Sequence, residues 1–251
     1  MPLTLLFIII FLSSLILTMV GLGGGLIFSP LFVLLKFPVT TAVSASLFLN
    51  GVAAVSAAIV YFKKKMIDVK IGLPLVATST LSAPLGAMLT TRLNLRVFSA
   101  ILALVIILAA LRMLFSKKLE FENGGLINPA RRIIGGGGIG MLTGLMAGLL
   151  GIGGGVFIVP LLIYVLKVPV KTAAATSIFI VVFSSFSGFI AHAAFTVIDW
   201  KFIIFAAAFS FTGGQLGSRL MAEKLKGKTV RRIFGIVLLM FSVKLIQKAL
   251  I

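Results

Sequence analysis

The sequence predicts an all-α, polytopic membrane protein. It reads as two inverted repeats, each with a broken or re-entrant helical hairpin (1a/1b and 5a/5b) plus three transmembrane helices. Three observations lead there. Of 251 residues, 60% are hydrophobic and 11% charged, the mean hydropathy is +1.25, and the apolar residues fall in blocks of about 18–25, the length of a helix that crosses a bilayer. A glycine-rich string occurs twice, GLGGGLIFSPLF at 21–32 and GIGGGVFIVPLL at 151–162. Lys and Arg gather in alternate loops.

Segment 1a covers 3–20. It has neither a basic leader nor a small-x-small cleavage site, so it reads as a retained helix and not as a signal peptide. Gly21, Gly23, Gly24, Gly25 and Pro30 follow. Consecutive glycines each cost a helix about 1 kcal/mol relative to alanine, so the helix should break here. A break within lipid strands backbone groups at several kcal/mol each and survives only inside protein or along a watery cavity. Arm 1b, at 26–36, is then about 16 Å of helix, half a membrane. A turn at Pro38 leads to segment 2, 41–62, which ends in Lys63, Lys64 and Lys65. Segment 3, 69–91, is expected to be interrupted by Pro74 and Pro84, and segment 4 covers 97–115. Residues 116–132 are polar and form the one sizeable linker, which divides the chain into 1–115, 116–132 and 133–251. The second half repeats the plan. Segment 5a is 133–150, the hinge is Gly151, Gly153, Gly154 and Gly155 with Pro160, and arm 5b runs to 166. Segments 6, 7 and 8 cover 172–197, 202–221 and 230–250.

The hinges match at a shift of 130 residues and later positions at 131: Pro38 with Pro169, Ser46 with Ser177, Asp68 with Asp199, Gly86 with Gly217. Matches held in register over half a chain mark an internal repeat. Charge sets the topology. If each broken helix crossed the membrane, the loops would divide Lys and Arg 12 to 11; if each is re-entrant, the division is 17 to 6, which satisfies the positive-inside rule. Each half then crosses three times, which inverts one relative to the other. Matched loops carry opposite bias accordingly: four Lys/Arg in 61–70 against one in 192–201, and two in 92–96 against six in 219–232. The expected topology is multi-pass in the cell (cytoplasmic) membrane, with both termini outside and the linker in the cytoplasm.

The chain has no cysteine and one histidine, which excludes disulfides and thiolate chemistry and leaves no ligand set for a metal; no cofactor is expected. The net charge of +18 is chiefly topological, and its dispersal over short loops argues against nucleic acid. The arms 1b and 5b present helix N-termini deep in the membrane, with partial positive charge and free N–H groups. Glycine admits close approach to the backbone, so two converging ends form a candidate anion cradle; close helix packing is the other use of such glycines. Asn50, Ser82 (with Ser79 and Thr80), Ser184 (with Ser185), Thr212 and Gln215 fall at similar depth and join the candidate site. None of the five acids, Asp68, Glu120, Glu122, Asp199 and Glu223, lies mid-span, where cation transporters and carboxylate relays usually need one. The substrate is therefore expected to be an anion. His192, matched by Tyr61, is a candidate proton relay or gate.

The paired GxGGGxxxxP hinges, the duplicated halves and the length together resemble the sulfite exporter TauE/SafE family, also called toluenesulfonate uptake permeases. The resemblance covers nearly the whole chain. It implies secondary, ion-coupled transport of a small sulfur oxyanion, organosulfonate or carboxylate across the cytoplasmic membrane. The expectation is alternating access around the paired breaks, with an anion channel using the same site as the alternative. No enzymatic activity is expected. The partners are the small anion and the lipid bilayer, and a homo-oligomer is left open.

Overall fold

The computed structural model describes residues 3–90, 129–194 and 198–230, with 104, 196, 232, 233 and 236 beside them. Segment 4 apart from residue 104, the linker up to residue 128 and most of segment 8 lie outside those residues. Eight helices are described and no strand among the described residues: α1 (Leu3–Met19), α2 (Gly25–Leu34), α3 (Val39–Lys63), α4 (Val69–Thr90), α5 (Pro129–Leu150), α6 (Gly155–Tyr164), α7 (Val170–Ala193) and α8 (Trp200–Glu223). Three of them, α3, α4 and α7, are long and apolar enough to cross a membrane.

Local chemistry explains the boundaries. The α1–α2 break needs left-handed backbone at Gly21 (φ +87°) and Gly23 (φ +76°), and the α5–α6 break repeats it at Gly151 (φ +71°) and Gly153 (φ +70°), conformations open to glycine at little steric cost. α3 and α7 each start directly after a proline, Pro38 and Pro169. Asp68 and Asp199, a matched pair, both cap a helix start, accepting from Ile71 N (3.1 Å) and Phe202 N (3.2 Å), as short polar side chains do. The expected interruption at Pro74 and Pro84 is corrected: α4 runs unbroken through both. Pro84 removes the N–H that would bond Thr80 O, and Ser187 Oγ of α7 donates to that carbonyl at 2.6 Å, the kind of hydroxyl substitution that lets membrane helices tolerate proline.

Pairings between helices set their directions. α1 and α8 run the same way, through Ser14–Ser210 (2.9 Å) and Thr18–Gly214 O (3.4 Å). α8 and α3 also run the same way, through Ser210–Leu49 O (2.9 Å) and Glu223–Lys64 (3.0 Å). α2 turns back: Phe7 at the start of α1 and Phe32 near the end of α2 both meet Phe202, at 6.1 Å each. In the second half α5 lies beside α4 in the same direction, with Gly140 against Leu75, Gly144 against Ser79 and Gly148 against Ala83. α4 follows α7, through Asp68 N–Thr176 (2.9 Å) and Thr80 O–Ser187 (2.6 Å). α3 and α7 are antiparallel: Phe48 meets Phe189 (5.0 Å), while Val55 to Phe62 face Phe183 back to Phe179. Thus α1, α3 and α8 point one way and α4, α5 and α7 the other.

The halves interleave. The first helix of each packs on a later helix of the other, α1 on α8 and α5 on α4, with α3 and α7 between them. Among the described residues, Lys63, Lys64, Lys65, Lys70, Lys167 and Lys171 gather at one end, where Lys171 Nζ donates to Ala222 O at 3.1 Å; Lys36 and Lys201 lie at the other. Large apolar side chains, such as Leu81, Ile190, Ile204 and Phe205, cover the outside, as a lipid-facing surface requires.

Candidate functional site at the crossed hinges

The two glycine breaks meet in the buried centre, backbone on backbone. A Cβ on Gly25 would stand 2.8 Å from Ile152 backbone, and one on the matched Gly155 would stand 2.8 Å from Gly21 O and Leu22 Cα. Only glycine permits this crossing. Two matched serines then bind each hinge to the opposite half. Ser46 Oγ donates to Gly151 O and Ser177 Oγ donates to Gly21 O, both at 2.7 Å.

Two further matched residues hold the helices leading into the breaks. Tyr61 Oη donates to Thr18 O at 2.8 Å, and His192 Nε2 lies 2.8 Å from Gly148 O. Thr18 and Gly148 are each three residues before a hinge's first glycine. Both side chains are fully buried.

The symmetry fails at Asn50. Its Oδ1 accepts from the backbone N–H groups of Gly24 and Gly25 (2.8 Å from Gly25 N), and its Nδ2 donates to Ser185 Oγ at 2.8 Å. The matching residue in α7 is Val181, so α6 has no such cap. Gly24 has φ −128° where Gly154 has +79°. Ser184 Oγ donates to Gly153 O at 3.1 Å. In this structure Asn50 occupies the approach to Gly24. Its N–H is held by Asn50, and a Cβ there would strike the Phe28 ring.

The structure brings together Gly21, Gly23, Gly24, Gly25, Gly151, Gly153, Gly154, Gly155, Asn50, Ser184 and Ser185. Pro30 and Pro160 lie inside the short arms α2 and α6, each removing the N–H that would bond the carbonyl four residues earlier. The other expected residues stand apart. Thr212 is exposed and bonds Ala208 O and Phe209 O of its own helix, both at 3.0 Å. Ser82 donates to Ser79 O (3.3 Å) and lies in the α4–α5 seam beside Gly144. Gln215 faces Ser56 of α3. Ser56 Oγ gives its proton to Phe211 O (2.7 Å), so the amide nitrogen of Gln215 donates to Ser56 O (2.9 Å) and Oγ (3.0 Å), and its oxygen accepts from Arg219 (3.2 Å). Ser46 and Ser177 were legible as a repeated pair but not as parts of the site. Ser29 carried no signal; its Oγ is buried without a partner beside Gly151.

Amide N–H groups, hydroxyls and one carboxamide converge here, and no carboxylate does among the described residues. The fold and the site define an all-helical membrane protein with two interlocked, related halves around crossed helix breaks. The chain belongs to the family described as Sulfite exporter TauE/SafE, whose profile matches residues 6–245. It is similar to the probable membrane transporter protein YunE of Bacillus subtilis, 28% identical over 93% of each chain. It also resembles YdhB of the same organism, a probable membrane transporter protein 23% identical over 86% of this chain and 89% of that one. A probable membrane transporter protein of Methanocaldococcus jannaschii is 31% identical over 49% of this chain and 45% of its own. No solved structure matches the chain.

Proposed function

We propose that the protein is a secondary transporter that moves a small anion across the cell membrane by alternating access. The substrate class is a sulfur oxyanion, an organosulfonate or a small carboxylate. The observation that carries this reading is the crossing of the two breaks, each bonded through Ser46 or Ser177 to the opposite half. Rocking one half against the other exposes such a centre to alternate sides. The helix directions support two inverted repeats around it, an arrangement recurrent in transporters with broken helices, and the gathering of lysines at one end supports placing that end in the cytoplasm.

Asn50 holds the place of the substrate in the packed state. Its Oδ1 is a neutral acceptor on two N–H groups. An oxyanion accepting from the same groups forms charge-assisted bonds, roughly twice as strong as neutral ones, so the exchange runs in the anion's favour once the halves part. Asn50 Nδ2 and the Ser184 and Ser185 hydroxyls then supply further donors. These groups bind and orient; none is a nucleophile or general base, and the protein is not an enzyme.

The test is uptake by proteoliposomes loaded with purified protein, screened with sulfite, thiosulfate, toluenesulfonate and acetate. Saturable, gradient-coupled uptake of an anion supports the transporter. Unsaturable flux identifies a channel with the same site, and uptake only of cations or neutral solutes refutes the reading.

A further inference from the structure

His192 and Tyr61 occupy matched positions and do one structural task, holding a carbonyl three residues before a hinge. A tyrosine suffices for it in the first half. The histidine brings something more. Gly148 O can only accept, so the proton lies on His192 Nε2. That leaves Nδ1 as a bare lone pair, buried and without a partner. The ring can therefore take up one proton at Nδ1 without surrendering its bond to Gly148. Gly148 is itself pinned. A Cβ there would strike Ala83 O of α4, Gly188 of α7 lies against its Cα, and Thr90 Oγ1 reaches its carbonyl (3.4 Å) and that of Leu149 (2.8 Å).

The surroundings contain no rival titrating group among the described residues. On α3, Tyr61 is turned to Thr18 O and Lys63 lies at the opposite end. Lys70 of α4, Tyr164 of α6, Lys167 of the turn between α6 and α7, and Lys171 of α7 are at that far end too. Asp199 and Lys201 are exposed at the start of α8. Arg92 and Arg96 follow α4 in sequence and lie outside the described residues. Histidine is the side chain whose charge changes in the physiological range, and this chain has one.

We propose that His192 is the proton-binding site that couples the transport cycle, with the proton as co-substrate of the anion. Nδ1 takes a proton from water on the side where the anion loads and becomes imidazolium. Nε2–H stays on Gly148 O, and Nδ1 returns the proton to water on the side where the anion leaves. A buried positive charge one turn before the second hinge favours an anion at the crossing. By linkage a bound anion favours the proton in equal measure. The proposal rests on the anion-transport reading above.

Two measurements test it. In protein labelled with 15N-histidine and held in lipid nanodiscs, every histidine signal is His192. The neutral form should carry its proton on Nε2, and thiosulfate should raise the protonated fraction of Nδ1 at fixed pH. In proteoliposomes holding a pH dye, uptake of 35S-thiosulfate should bring internal acidification. His192→Tyr, which copies the first half, and His192→Gln should keep thiosulfate exchange down its gradient and lose both the acidification and accumulation driven by a proton gradient. Acidification at the wild-type rate in either variant overturns the proposal, as does a neutral wild-type ring protonated on Nδ1. If both variants fail to insert, the wild-type resonances decide. If the wild type transports none of sulfite, thiosulfate, toluenesulfonate and acetate, the anion-transport reading itself falls, and this proposal with it.

Discussion

Replacing Asn50 with alanine separates the cap's structural role from its proposed exchange with substrate. The change strands the N–H groups of Gly24 and Gly25 and removes the donor to Ser185 Oγ. A buried donor left unsatisfied costs about 1–3 kcal/mol, so the pair of N–H groups alone should destabilise the protein by about 2–6 kcal/mol. An anion that binds these groups restores part of that. A ligand at a hundredfold its Kd stabilises by about 2.7 kcal/mol, and in Asn50→Ala it no longer has to displace Oδ1. The assay is unfolding of purified wild type and variant in detergent, followed by the fluorescence of the single tryptophan, with and without thiosulfate. The expected outcome is a large loss in the variant and a greater recovery by the anion than in wild type. A variant within about 0.5 kcal/mol of wild type, the range of an ordinary surface substitution, would refute the capping argument. Equal stabilisation of both proteins by thiosulfate would refute the exchange.

Four other outcomes are expected. Asn50→Asp should fold and withstand heat but lose anion uptake, because its carboxylate sits on the Gly24 and Gly25 N–H groups as a tethered competitor; wild-type uptake would contradict this. Gly25→Ala and Gly155→Ala each place a Cβ 2.8 Å from the other hinge's backbone, so both should abolish transport at matched membrane insertion. Gly138→Ala, with nothing within 4 Å of the new atom, should leave uptake intact and raise stability by about 0.5–1 kcal/mol. In a chain without cysteine, single cysteines at Lys36 and Lys201 should label from outside and those at Lys65 and Lys167 from the cytoplasm; labelling of Lys36 and Lys65 from one side would break the topology.

The breaks themselves were legible because glycine acts locally: no neighbour is needed to know that GGG ends a helix. The repeat was legible for the same reason, since Pro38 and Pro169 or Asp68 and Asp199 do the same local work in both halves. What escaped was azimuth and partnership. Counting residues from a helix end gives depth, which put Thr212 level with Asn50, but it does not say that Thr212 faces outward and bonds its own helix. Nor does composition reveal that Asn50 reaches the hinge N–H groups. Its partners lie 25 and 26 residues away in sequence, and the serine clasps span 105 and 156. Pro84 was misread because a soluble-helix rule was applied where a hydroxyl from a neighbouring helix, Ser187, reaches the carbonyl of Thr80 that it frees.

The most direct measurement on the crossed hinges is the accessibility of Ser185→Cys. Ser185 is buried beside Gly153 and bonded to Asn50, so a membrane-impermeant thiol reagent reaches it only when the halves part. Alternating access requires slow labelling from either side of the membrane, and protection by a transported anion such as thiosulfate. A cysteine that labels from one side alone, or at a rate indifferent to every anion tested, would contradict the placement of the transport site at the crossing.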